Sequence, residues 1–199
     1  MVECLEIKKK IVVLDLETTG FQPFSEEITE VGFVTLDGGT LEVMGMFDSL
    51  IDIKGKIPPK VESITNINNE MTKKFGLPKE VVGAYVKEAL KDAIVVAHNA
   101  SFDFSFLAHH FDIEPDYFYD TLSLSRIAFP DEKKHDLKTV CQRFSVPLEG
   151  HHRALNDAMA TASVLKVLLK DYNTWKNINT LHGGGRGVKY KPTHTKVVM

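Results

Sequence analysis

An α/β fold, with helices around one mixed sheet, is what this chain of 199 residues predicts. Three observations carry that reading. Strand-like segments come first, at residues 10–15, 28–36 and 41–53. A short buried-type strand follows at 93–97. The remainder is mostly helical and ends in an amphipathic stretch at 154–170.

Each element has its own local reason. Residues 10–15 are a short run rich in Ile and Val. The next two strands are separated by Asp37-Gly38-Gly39, a hairpin-type turn, so the first three strands suggest an antiparallel meander. After Pro58-Pro59 the pattern turns helical. Residues 78–90 open with a proline and carry Val81, Val82, Tyr85, Val86 and Leu90. Residues 101–111 place Phe102, Phe106 and Leu107 on one helix face. Further helices are expected at 121–129 and 137–144. The last, 154–170, has Leu155, Ala158, Ala162, Leu165 and Leu169 at helical spacing. From Asn173 the character changes, because Gly183-Gly184-Gly185, Arg186 and Gly187 interrupt any helix and residues 190–199 lack periodicity. Residues 1–172 are therefore read as one domain and 173–199 as a linker or tail.

Composition narrows the function classes. At 43% hydrophobic and 26% charged the chain can bury a core, and no apolar run is long enough for a membrane span. Cys4 and Cys141 form no close pair and no zinc spacing, which favours a reduced, cytoplasmic setting. A formal charge of -3 argues against a protein that coats duplex nucleic acid. Any nucleic-acid contact should be local and helped by cations.

Three polar clusters carry the chemistry. Asp15-Leu16-Glu17-Thr18-Thr19-Gly20 ends the first strand, and alternation sends Asp15 and Glu17 to one face and Leu16 to the other. Two acids side by side repel unless a cation or proton intervenes; solvated acids at a strand end are the alternative. In His98-Asn99-Ala100-Ser101-Phe102-Asp103, Asp103 falls in a first helical turn, where the helix dipole alone favours an acid. His98 and Phe102 read equally as core. In His152-Arg153-Ala154-Leu155-Asn156-Asp157, Asp157 lies beside the apolar stripe, where a carboxylate needs a partner. Taken together, four acids arrive from three elements. Oxygen-only ligands point to Mg²⁺ or Mn²⁺, and two such ions serve phosphoryl transfer. A nearby histidine supplies a general base.

The clusters resemble the three motifs of the DEDDh 3′→5′ exonuclease family, in their order, in the Asp-x-Glu pair and in the His-x4-Asp spacing. The resemblance covers residues 10–170. Within that family, residues 97–103, Asp120-Thr121-Leu122 and His151-His152-Arg153-Ala154 look most like the proofreading exonuclease domain of PolC-type DNA polymerase III alpha chains. The resemblance implies a ribonuclease H-like five-stranded mixed sheet flanked by helices. It implies that Asp15, Glu17, Asp103 and Asp157 hold two divalent metals and that His152 is the general base. It also implies that Thr18, Thr19, Gly20, Ile64, Asn99 and Phe102 meet a single-stranded or frayed DNA 3′ end, and that the rest of a DNA polymerase III chain or complex is a partner. His151 is expected to face solvent or pack locally, and Asp120 to cap the helix at Thr121. Asn66, where relatives often have Gly, leaves the local loop shape open. An exoribonuclease on the same scaffold and a non-catalytic docking module are the competing readings.

Overall fold

The computed structural model describes residues 9–172, 174–177 and 180. Five strands form one sheet in the order β3-β2-β1-β4-β5. They are β1 (Ile11–Thr18), β2 (Ile28–Leu36), β3 (Val43–Leu50), β4 (Ile94–Ala97) and β5 (Phe118–Asp120). The first three are antiparallel; β4 runs parallel to β1, and β5 parallel to β4. This is the ribonuclease H-like mixed sheet flanked by helices.

Seven α-helices lie among the described residues: α1 (Pro59–Thr65), α2 (Asn69–Phe75), α3 (Lys79–Leu90), α4 (Ala100–Phe111), α5 (Thr121–Ala128), α6 (Leu137–Arg143) and α7 (Ala154–Asp171). Central β1 is buried on both faces, which is why its sequence reads as a nearly continuous apolar run. Val12, Leu14 and Leu16 enter a core built with α3 and α4, through Val82, Val86, Phe104 and Leu107. Ile11 and Val13 enter a second core, closed by α6 and α7 through Val140, Val164, Leu165 and Leu168.

Several boundaries differ from the sequence reading for physical reasons. Strand β1 continues to Thr18, three residues past the Ile/Val run, because β2 supplies a partner along its whole length. Strand β3 is shorter than residues 41–53. Leu41 has φ +62 and closes the turn that Asp37 organises by accepting from the amides of Gly39 and Thr40; Ile51 leaves the ladder to bridge Leu77. The fifth strand has only three residues, too few to show alternation. Asn66 ends α1 in the left-handed region, φ +56, a conformation that Asn tolerates as Gly does. Thr174 is buried and its hydroxyl donates to the carbonyl of Leu168, so packing reaches past residue 172. The glycine-rich residues 183–187 lie outside the described residues.

Candidate active site

The site forms where the sheet forks. Strand β4 pairs with β1 only at Ile11, Val12 and Val13, while β1 runs on to Thr18. In the gap beyond the last pair, the amide of Leu16 donates to Asp103 Oδ1 at 3.1 Å. A side chain from the first turn of α4 thus replaces the missing strand. This is the topological switch point at which α/β sheets place their ligands. A register shift between Glu17 and Thr18 bends the end of β1 and re-aims the residues after it.

Helix α7 brings the fourth acid. Its first turn presses onto β2 at Gly32, directly opposite Asp15 in the register. A Cβ on Gly32 would stand 2.2 Å from the Leu155 nitrogen, so only glycine permits the approach. Asp157 is thereby carried over β1. Ligand oxygens of Asp15, Glu17 and Asp157 all lie within 4.8 Å of one another.

Burial and mutual repulsion leave these acids hard to ionise. Asp15 is raised well above the usual carboxylate range, first by burial and then by the charges of Asp103 and Glu17. Burial, then Asp157 and Glu30, push Glu17 up to about 8. Asp103 is raised by burial even though the Leu16 amide favours its charged form. No side-chain hydrogen bond within the described residues involves Asp15 or Glu17. A set of hard oxygen donors, close together and short of positive charge, fits a divalent cation such as Mg²⁺ or Mn²⁺.

The histidine pair is arranged differently from expectation. His151 Nδ1 lies 2.9 Å from both oxygens of Asp157, and so does not simply face solvent. The ring of His152 stacks on that of His151, with centroids 3.8 Å apart. Only the backbone amide of His152 meets Asp157, at 3.1 Å. His152 holds φ +68, and Gly150, two residues earlier, φ +59. Both histidines and Asp157 have ligand atoms within 4.8 Å of one another. Burial and the neighbouring His151 hold the His152 imidazole below its ordinary range, so it is neutral near pH 7.

The residues expected along a substrate have unlike surroundings. Thr18 donates to the Gly20 carbonyl at 2.6 Å and Thr19 to Glu26 at 2.5 Å, which folds the turn after β1. The amide of Thr19 is spent on the Glu27 carbonyl. A Cβ on Gly20 would meet the Glu26 carboxyl at 2.7 Å. Ile64 is exposed on α1, not core. Phe102 is half-buried and meets the exposed Phe21 edge-on at 6.3 Å. Asn99 enters α4 at φ +69 and its side chain makes no cap, leaving the amide group available. Asp120 caps α5 through the Leu122 amide as expected, and also accepts from the amides of Asn99 and Ala100. His98 is a structural histidine, held by Thr121 and by the His135 carbonyl.

Glu30 and Arg153 were not singled out from the sequence. Glu30 is fully buried, and Arg153 grips it through Nε at 3.0 Å and through its terminal nitrogen at 2.5 Å. The amide of Ala154 adds a bond of 2.8 Å. This clamp ties β2 to the start of α7. The single charged residue in the segment 28–36 was the available signal.

Comparison with known proteins follows the same lines. Residues 12–165 match the RNase_T family, described as exonuclease. A PolC-type DNA polymerase III of Clostridium perfringens is 33% identical over 198 residues, covering 94% of this chain but 14% of the relative. The 3′-5′ exonuclease DinG of Staphylococcus haemolyticus is 34% identical over 158 residues, covering 77% of this chain and 17% of that protein. The chain therefore spans a small part of the curated relatives it matches. Among solved structures, exonuclease X in complex with 5′ overhanging duplex DNA superposes with a TM-score of 0.68 at 23% identity, covering 82% of this chain and 93% of that one. E. coli exonuclease I in complex with a dT13 oligonucleotide gives 0.72 at 15%, covering 85% and 43%. With the family match spanning both the sheet and the acids that crown its fork, the chain belongs to the RNase_T exonuclease family.

Proposed function

We propose that this chain is a DEDDh-type 3′→5′ exonuclease that releases nucleoside 5′-monophosphates from DNA 3′ ends, proofreading for a replicative polymerase of the DNA polymerase III type in the cytoplasm. The observation that carries the proposal is the cluster of Asp15, Glu17 and Asp157 within 4.8 Å, with Asp103 closing the fork beside it. These carboxylates are the residues that would hold two divalent ions, Mg²⁺ or Mn²⁺. Bound there, the ions would activate a water and stabilise the leaving oxygen.

The chain's own residues do the rest. Asp15 and Glu17 come from a strand buried in the sheet, and Asp103 is tied to the main chain, so the acids are pre-positioned on rigid elements. His152, neutral near pH 7, takes the proton from the attacking water once its ring leaves the stack on His151. Gly20 lets Glu26 fold closely against the turn that lies beside the terminal sugar. Ile64 and Phe102 offer apolar surface to a terminal base that is already unpaired, and Asn99 offers its amide. A paired end must first melt, so mismatched ends are preferred.

The polymerase setting is supported by likeness to PolC-type chains, while a setting like that of DinG is the second reading, since that relative is equally similar. One experiment separates DNA from RNA and enzyme from docking module. Labelled DNA and RNA single strands are digested with Mg²⁺, with Mn²⁺ and with excess chelator. Stepwise shortening of DNA from the 3′ end, abolished by chelator, is expected. Full activity in chelator, or products bearing 3′ phosphates, contradicts the reading.

A further inference from the structure

Aromatic rings continue well beyond the residues assigned to the terminal nucleotide. From Phe102, beside Asp103, a row of rings follows α4 away from the acids. Phe102 lies 5.0 Å from Phe106, a fully buried core ring; Phe106 stacks on half-buried His110 at 5.7 Å, and His110 meets the exposed His109 at 4.9 Å, so the row is anchored in the core and surfaces only at its two ends. The row ends where Phe24, from the loop between β1 and β2, stands edge-on to His109 at 4.9 Å. Phe24 is 73% exposed, the most exposed large apolar side chain in the described structure.

Helix geometry fixes how far this ledge stands from the chemistry. Phe102 and His109 are seven residues apart, about 10 Å along the axis at 1.5 Å per residue. Successive nucleotides of a stacked strand rise about 3.4 Å, so that distance is about three nucleotides. A cation accompanies the row: Lys79 Nζ lies 2.8 Å from His110 Nδ1. The exposed end thus offers the open ring of Phe24 and the imidazole of His109 side by side, with the cation one residue along on His110, and aromatic surface of this kind holds unpaired bases without reading sequence.

We infer that Phe24 and His109 form a stacking ledge for an unpaired base about three nucleotides upstream of the scissile 3′ end. The inference rests on the exonuclease reading and names a substrate feature of the same site: a flexible single-stranded run of about four nucleotides. A duplex reaching closer to the end cannot present an unstacked base to Phe24. The ledge therefore measures how far the end has frayed.

The test is length dependence. Hydrolysis of thymidine 5′-monophosphate p-nitrophenyl ester and of dT2, dT3, dT4 and dT6 is measured with Mg²⁺ for the parent, Phe24→Ala and Phe24→Trp. The parent's KM should fall with each added nucleotide up to about four. Phe24→Ala should match the parent on the ester and on dT2, with kcat unchanged, and lie about tenfold higher in KM on dT6. Phe24→Trp should restore the length dependence. An identical length profile for Phe24→Ala and the parent overturns the ledge, and so does an equal loss on every substrate. If the parent cleaves nothing, the exonuclease reading falls instead. Anisotropy of labelled dT6 then decides the ledge alone, with weaker binding by Phe24→Ala expected and equal binding overturning it.

Discussion

Glu17 and Glu30 are direct cross-strand partners in the β1–β2 register, two carboxylates on one face of one sheet. Their surroundings are opposite. Glu30 is fully buried and satisfied, with Arg153 and the Ala154 amide taking up its oxygens. Glu17 is less buried, yet it faces Asp15 and Asp157 and is pushed up to about 8. A buried acid that is fully paired is costly to strand, so its partner cannot be removed without loss of stability. An acid left among its own kind, with Arg153 spent on the neighbouring strand, keeps its proton to higher pH and has no hydrogen-bonding side chain among the described residues.

The comparison breaks most sharply if Asp15 or Asp157 proves dispensable. Asp15→Ala and Asp157→Ala are expected to lose at least about 10³-fold in turnover, on the scale of removing core catalytic groups, while far-ultraviolet dichroism stays native. The same variants should lose the stabilisation that Mg²⁺ gives the parent. His152→Ala comes next, with a loss of about 10²–10⁴-fold in single-turnover cleavage and nearly normal metal binding. His151→Ala is expected to stay within a few-fold, because the His152 amide still holds Asp157 when the His151 contact is lost. A crippled His151→Ala beside an intact His152→Ala would reverse the two roles.

On the paired side, the expected effect is on stability. Arg153→Met strands Glu30 in the interior and should lower the unfolding free energy by about 3 kcal/mol, read from urea midpoints. The smallest effect sharpens the comparison through pH. Glu17, raised from 4.5 to about 8, favours the metal-free fold when protonated; that contribution is complete below 4.5 and is lost as pH rises through about 8. Cations compete with those protons. At one fixed Mg²⁺ concentration, about 100 times the Kd measured at pH 8, the gain in Tm should therefore be near zero at pH 5 and about 5–10 °C at pH 8. Glu17→Gln should flatten that slope.

What the sequence made legible was whatever depended on local pattern. The alternation of Asp15, Leu16 and Glu17 placed the acids on the correct face, and the stripe from Leu155 to Leu169 marked α7. The three-residue β5 was too short for any period to register. The Glu30–Arg153 clamp joins residues 123 apart, and no local rule pairs an acid in a strand with a base before a helix. His151 and His152 are neighbours whose directions depend on the φ of two loop residues, which spacing alone does not encode. Spacing and composition found the charges, and the tertiary contacts showed which of them were already matched.

The Asp103–Leu16 hydrogen bond governs how a silent enzyme should be built for capturing its complexes. One oxygen of Asp103 stands in for a strand that the sheet lacks, so truncating it orphans a buried amide and perturbs the scaffold along with the chemistry. The Asp15 carboxylate carries no such second duty among the described residues. A trap made at Asp15 is therefore a clean decoy, whereas one made at Asp103 calls for asparagine, whose oxygen can keep the joint closed.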